Sequence, residues 1–272
     1  MVDKTGRMKD VVFKSCRVQM NDQVQTDGAK PVPKTKISFV IPVYNEEKNL
    51  EPLYLEITEV AGQVGHAYEI LLVDDGSIDG SLTAIKGLAE GDERVSYIAL
   101  ADNMGQSAAL SAGFQYASGD IIITMDGDLQ NDPADIPGML AYYGEYDMVT
   151  GWRQDRQDSF GKKVAGRIGN AFRNLVTGDA IRDTGCSLKI MNGSMVRRIK
   201  LFKGLHRFLP TLMRLEGARV MEVKVNHRPR LHGQSKYGNL QRGIEGFFDV
   251  FVMRWMMRKK IQLKIRESHV EK

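Results

Sequence analysis

Apolar residues along this chain fall into short unbroken runs that alternate with longer amphipathic stretches. Ile37–Val43 is one such run, and others cover 68–73, 95–101 and 121–125. They are rich in Ile, Val and Leu, the signature of strands buried on both faces. Helical stretches lie between them. One starts at Asn45-Glu46-Glu47-Lys48-Asn49-Leu50, a capped helix start; one runs from Asp79 to about Ala89; a third, rich in small residues, covers 105–117. Strands separated by helices of this length require right-handed crossovers. The pattern therefore predicts an α/β fold, with a Rossmann-like, mainly parallel sheet flanked by helices. In such sheets ligands sit beyond the carboxyl ends of the strands. Pro42, Tyr44, Asp75, Asp126 and Asp128 all fall at or just past those ends.

The second half is less regular. Residues 147–150 read as a strand leading into Gly151-Trp152-Arg153, and 160–176 as a helix carrying Lys162, Lys163, Arg167 and Arg173. Strands are expected at 187–191 and Val220–Val225, around a helix at 206–216. A last amphipathic helix over about 238–260 repeats Ile244, Phe247, Phe248, Phe251, Val252, Trp255 and Met256 at three-four spacing. Val250, Met253 and Met257 lie opposite, so its back is apolar too. Residues 1–34 lack sustained periodicity and close on Pro31-Val32-Pro33, which predicts a flexible leader with at most a short strand over 10–20. The expected organisation is thus leader 1–34, one domain over 35–237, and helix with basic tail over 238–272.

Composition adds one point. The 272 residues are 42% hydrophobic and 26% charged, ordinary for a globular chain, and the net charge is +4. From Arg228 onward there are eleven Lys/Arg against four Asp/Glu, leaving 27 basic and 30 acidic residues before it. The positive charge is concentrated at the carboxyl end. Cys16 and Cys186 lack metal-type spacing and read as free thiols in a reducing compartment. No apolar run is long enough to predict a transmembrane helix, and nothing points to a nucleic-acid partner.

The candidate chemistry centres on Asp126-Gly127-Asp128-Leu129-Gln130. A strand alternates its side chains, so Asp126 and Asp128 would project to one side if the chain stayed extended. Two carboxylates converging beyond a buried strand suit Mg²⁺ or Mn²⁺ together with the phosphates of a nucleotide. The spacing alone is common in ordinary turns. Four further blocks accompany it: Pro42-Val43-Tyr44-Asn45-Glu46, Asp74-Asp75-Gly76-Ser77, Gly151-Trp152-Arg153, and Arg230-Leu231-His232-Gly233-Gln234-Ser235-Lys236-Tyr237.

With these five blocks in this order, the chain resembles the family-two glycosyltransferases of GT-A fold, in particular the polyprenyl-phosphate sugar synthases typified by dolichol-phosphate mannosyltransferase. The resemblance runs from about Ile37 to about Trp255. It implies a metal-dependent, inverting hexosyl transfer from a GDP- or UDP-linked sugar to a dolichol- or undecaprenyl-type phosphate at the cytoplasmic face of a membrane. Pro42, Tyr44, Glu46, Val73 and Asp75 are implied around the nucleoside, and Asp126, Gly127 and Asp128 at the nucleotide-sugar. Asp126, Asp128 and Gln130 are implied to hold the divalent cation.

A lipid phosphate is largely dianionic at neutral pH, with a second pKa of about 6 by analogy with phosphoserine. It needs little general-base help, but it needs positive charge to approach a diphosphate. Arg153, Arg167, Arg230 and Lys236 are the candidates. Asp183 has open readings: it orients the acceptor, it orients a basic residue, or it caps a turn. The last helix either packs on the core with a solvated basic end, or docks a second apolar face on anionic lipid or an integral-membrane partner. Two rival functions remain. One is transfer to a saccharide or glycolipid hydroxyl, for which Asp183 would be the base; the other is a non-catalytic subunit binding nucleotide or lipid.

Overall fold

In the computed structural model the described residues are 35–153, 160–230 and 239–259, with no side chain described for 160–165, 167, 168 and 239–245. The leader assigned to 1–34, Lys236 and the tail past 259 lie outside the described residues, as does the side chain of Arg167.

The strands are β1 (Ile37–Val43), β2 (Tyr68–Asp74), β3 (Val95–Ala99), β4 (Ile121–Thr124), β5 (Met148–Arg153), β6 (Lys189–Asn192) and β7 (Val220–Val225). Among them run α1 (Glu47–Val64), α2 (Ser81–Gly91), α3 (Gln106–Tyr116), α4 (Ile136–Leu140), α5 (Phe160–Thr177), α6 (Gly193–Val196) and α7 (Leu209–Leu215), with α8 (Asn239–Lys259) last. The helix expected over 206–216 divides into a 3-10 turn, Leu205–Phe208, and α7. Pro210 has no N–H to donate and opens the α-helical part.

Among the described residues, seven strands form one sheet in the order β3-β2-β1-β4-β6-β5-β7. The first four in that order are mutually parallel, and Ile37 pairs in register with both Tyr68 and Ile121. Their carboxyl ends therefore open on one edge. β6 runs against both β4 and β5, placing Lys189 at its start opposite Thr124 and Thr150. One reversed strand thus delivers the segment before it, 183–188, to the edge where β4 and β5 end.

The alternation of each strand sorts the core. Phe39, Ile41, Ile70, Leu72, Ile121 and Ile123 pack with Leu50, Leu53 and Ile57 of α1. Val40, Leu71, Val73 and Ile122 pack on the other side with Ala109, Leu110 and Phe114 of α3 and Leu209 and Met213 of α7. In α8, Val250 and Met253 join Leu205, Phe208 and Leu212 in a third cluster. The aromatic row is the outward one: Phe247, Phe248, Phe251, Val252 and Trp255 are exposed, and Phe247 stacks on Phe172 of α5 at 5.2 Å. Among the described residues no helix is long and apolar enough to cross a membrane.

Candidate active site

Three loops at the carboxyl edge are tied to one another. After β1, Asn45 adopts a left-handed conformation (φ 53°) that asparagine tolerates. Its N–H donates to Ser77 Oγ (2.9 Å), and its Oδ1 accepts from the Ile78 N–H (2.8 Å). Glu46 Oε2 accepts from Asn49 Nδ2 (2.6 Å), and the Glu46 N–H donates to Ser81 Oγ (2.8 Å). After β2, buried Asp75 accepts from the N–H groups of Met104 (2.8 Å) and Gly105 (2.9 Å). Burial pushes its carboxyl pKa up; those two amides oppose the rise and Asp74 adds to it. Gly76 (φ 68°) is required here, because a Cβ would meet the Asp102 carbonyl carbon at 2.5 Å. The Asp75 carboxylate thus braces the loop before α3. Pro42 and Tyr44 are half-buried on this edge, whereas Val73 is a fully buried core residue.

The acidic block follows β4. Asp126 Oδ1 accepts from Gln106 Nε2 at the start of α3 (2.8 Å), and its N–H donates to Asn131 Oδ1 (3.2 Å). Asn131 also accepts from Ser187 Oγ (2.7 Å). Gly127 lies over the end of β1, where a Cβ would stand 3.5 Å from the Pro42 oxygen and 3.8 Å from Glu46 Cγ. Asp128 is buried; its Oδ1 accepts from the Gln130 N–H (3.1 Å) and its Oδ2 from Arg230 Nη2 (2.5 Å). Leu129 sits at φ 61°, a strained conformation for a branched side chain of the kind that concentrates at functional sites. The Gln130 side-chain Nε2 reaches the Arg228 carbonyl at 3.5 Å, and the Gln130 backbone carbonyl accepts from the Arg228 N–H at 2.9 Å. Arg228 is clamped in turn by Glu56 (2.8 Å) and Asp132 (2.7 Å). That clamp delivers Arg230 to Asp128.

Arg153, at the end of β5, is gripped by Asp183: Nε to Oδ2 at 2.8 Å, Nη2 to Oδ1 at 3.0 Å, and its backbone N–H to Oδ2 at 3.3 Å. The loop bearing Asp183 is held by Glu222 of β7, which accepts from the Arg182 and Asp183 N–H groups (3.0 and 2.8 Å). Buried Arg173 bonds Thr184 and the Ile181 carbonyl in the same loop. Among the open readings for Asp183, these contacts are those that orienting a basic residue would need.

Acids and bases therefore meet on one rim. Burial, then the neighbouring Asp128, pushes the Asp126 pKa up; Arg153 and Lys189 pull against it. Asp128 is also raised by burial, with Arg230 opposing and Glu46 adding. Gln106, Asn131, Arg228, Glu222 and Lys189 had no place in the sequence reading. Asn131 directly follows the acidic block and Gln106 opens the small-residue helix, so adjacency was the one signal available for either.

Among the described residues no cluster of three or more His, Cys, Asp or Glu side chains marks a metal site. The pair Asp126 and Asp128 nonetheless fits a hard divalent cation. Its donors are carboxylate oxygens, it is desolvated, and a guanidinium already stands in as the positive charge on Asp128. The edge gathers buried Asp128 and half-buried Asp126 near Arg230 and Arg153.

A family profile described as "Glycosyl transferase family 2" matches residues 38–202. The chain is 38% identical over 236 residues to dodecaprenyl-phosphate galacturonate synthase of Rhizobium johnstonii, covering 85% of this chain and 70% of that protein. It is 41% identical over 207 residues to undecaprenyl-phosphate 4-deoxy-4-formamido-L-arabinose transferase of Salmonella paratyphi B, covering 75% of this chain and 63% of that one. The chain therefore spans roughly two thirds of the length of these relatives. Glucosyl-3-phosphoglycerate synthase of Mycobacterium tuberculosis, solved with Mn²⁺, UDP and phosphoglyceric acid, shares the fold at TM-score 0.63 and 17% identity, over 84% of this chain and 80% of that one. The mannosyltransferase PcManGT of Pyrobaculum calidifontis, solved with GDP-Man and Mn²⁺, does so at TM-score 0.61 and 15% identity, over 88% and 69%. The chain belongs to glycosyl transferase family 2, and its sheet and flanking helices have the GT-A arrangement.

Proposed function

We propose that this glycosyltransferase moves a sugar from a UDP- or GDP-linked donor to a polyprenyl phosphate, by single displacement with inversion, at the cytoplasmic face of a membrane. The observation that carries the reading is the engagement of Asp183. Its two oxygens accept three hydrogen bonds from Arg153. Transfer to a saccharide hydroxyl needs a carboxylate ready to take a proton, and Asp183 is committed to a guanidinium instead. A phosphate acceptor needs no base, and Arg153 keeps its Nη1 donors for it; no bond to them is recorded among the described residues. Asp126 and Asp128 are also engaged, by Gln106 and Arg230, which favours direct displacement over a covalent enzyme intermediate. The two relatives named above act, by their names, on dodecaprenyl and undecaprenyl phosphate.

In this reading Asp126 and Asp128 hold Mg²⁺ or Mn²⁺, with Gln130 beside them, and Tyr44, Glu46 and Asp75 border the nucleoside. When bound, the cation supplies Lewis-acid stabilisation of the departing diphosphate. Arg153, Arg230, Arg167 and Lys236 receive the acceptor phosphate. The outward aromatic row of α8 beside Arg254, Arg258 and Lys259 supports docking on the anionic cytoplasmic leaflet or on an integral-membrane partner.

The test is a screen of UDP- and GDP-sugars with Mn²⁺ or Mg²⁺, using a short-chain prenyl phosphate or a saccharide as acceptor. Turnover should require the metal and the prenyl phosphate, and Asp128→Ala should lower it about 1,000-fold or more, the several kcal/mol a Lewis acid supplies. Transfer to the saccharide alone would overturn the acceptor assignment. Nucleotide binding without turnover on any acceptor would favour the non-catalytic subunit.

A further inference from the structure

Lys189 opens β6 and lies opposite Thr124 on one side and Thr150 on the other. Residues paired directly across antiparallel strands share a face, so two threonines flank the lysine. Lys189 is 3% exposed and Thr150 0%. The Thr124 hydroxyl is satisfied, donating to the Ser187 carbonyl at 2.8 Å. The Thr150 hydroxyl is buried with no hydrogen-bond partner, and none is recorded for the Lys189 ammonium among the described residues. The Thr150 hydroxyl, buried without a partner, therefore stands beside the Lys189 amine, for which no hydrogen bond is recorded among the described residues, at the strand ends that carry the site.

This arrangement is unfavourable for the fold alone. Buried polar groups are ordinarily bonded, and a buried cation ordinarily has a carboxylate in contact. A methionine would fill the same space without that penalty. Breaches of this kind mark functional positions. The charges facing the ammonium are Asp183, Arg153 and Asp126, with the Cys186 thiol nearby. Arg153 and Asp183 hold each other, and the other carboxylate acting on the amine is Asp126.

We infer that Lys189, with the Thr150 hydroxyl beside it, forms a further binding subsite for an anionic oxygen of the donor, on the sheet-side wall beneath Asp126. The inference rests on the nucleotide-sugar reading above. Two parts of a donor carry such oxygens: the diphosphate, and an acidic group on the sugar.

The experiment measures binding of UDP, a neutral UDP-hexose and a UDP-hexuronate, and of their GDP counterparts, by calorimetry with Mn²⁺. Wild type is compared with Lys189→Met, Lys189→Arg and Thr150→Val, alongside thermal melts. Lys189→Met should melt no lower than wild type yet bind at least about tenfold more weakly, a loss of 1.4 kcal/mol. Lys189→Arg should restore most of the affinity, and Thr150→Val should lose about threefold. A loss shared by every probe places the subsite on the diphosphate; a loss confined to the hexuronate places it on the sugar acid. Wild-type affinity of Lys189→Met for all probes overturns the inference. If Lys189→Met does not fold, wild-type affinity of Thr150→Val for all probes does so. A wild type that binds no nucleotide overturns the donor reading itself, and the subsite with it.

Discussion

Replacing Asp183 with asparagine keeps the shape of the side chain and removes its charge from beneath Arg153. The two side chains are buried to 7% and 14% exposure, and two charge-assisted hydrogen bonds, at 2.8 and 3.0 Å, join them. Hydrogen bonds to charged groups are each worth about 1.5–3 kcal/mol, and the asparagine oxygen can keep one. Breaking a buried pair from one side costs about 3–5 kcal/mol. A loss of about 3 kcal/mol is therefore expected, or about 10 °C in Tm for a chain of this size. Most domains have about 5–15 kcal/mol in hand, so the variant should fold. Released from its clamp, Arg153 wanders, and a misplacement of about 1 Å can lower rate about 100-fold. kcat/KM for the prenyl phosphate should fall by about 10- to 100-fold, with donor affinity unchanged. Urea melts and acceptor kinetics read both effects, and a double-mutant cycle with Arg153→Met should give a coupling of about 2 kcal/mol. A stability loss under about 0.5 kcal/mol, or a coupling near zero, would refute the positioning role of Asp183.

Arg230→Ala removes the guanidinium from Asp128. Mn²⁺ binding without nucleotide, followed by calorimetry, should tighten about tenfold, one charge-assisted hydrogen bond's worth, while the acceptor KM rises. Unchanged affinity for the metal would separate Arg230 from the cation site. Glu69 of β2 accepts from Lys36 Nζ (2.6 Å), Ser38 Oγ (2.5 Å), and the N–H (2.7 Å) and Oγ (2.8 Å) of Ser118. Burial, the largest influence, pushes its pKa up, but these bonds outweigh it and bring it from 4.5 to about 2. A depressed acid stabilises the fold above its unfolded pKa, so this contribution should be complete above pH 4.5 and lost as the pH falls through about 2. With Lys36 partly solvated, the loss should be about 1–2 kcal/mol, and urea melts of Glu69→Gln should show none of it across that window. Phe248→Glu with Trp255→Glu alters two side chains exposed at 63% and 62%. Stability should stay within about 0.5 kcal/mol, but binding to anionic vesicles should weaken about 100-fold or more, as two large apolar side chains no longer enter lipid. Equal vesicle binding would remove α8 from the membrane-facing role.

The first half of the fold was legible because its strands are unbroken apolar runs. Ile37–Val43 and Val220–Val225 emerged with the bounds their patterns predicted and most other expected elements shifted by a few residues at their ends, but the helix expected over 206–216 divided, and α4 and α6 had not been anticipated. The faces of α8 were not legible. Both sides are apolar, and only the cluster of Leu205, Phe208 and Leu212 decided that Val250 and Met253 turn inward while the aromatic row faces out. Asp75 could be placed beside the site from its strand end. Its hold on the Met104 and Gly105 amides depends on a loop 29 residues further along the chain.

By itself, the order of residues determined the class of fold and the location of the acids, since strand periodicity and strand-end position are local properties. The tertiary structure alone decided which charges face one another. Arg230 meets Asp128 across 102 residues and Arg153 meets Asp183 across 30, through a reversed β6 and a clamp on Arg228 that no local pattern encodes. Electrostatic pairing acts through space and falls off over a few ångströms, so it is set by how the sheet brings its loops together and not by spacing along the chain.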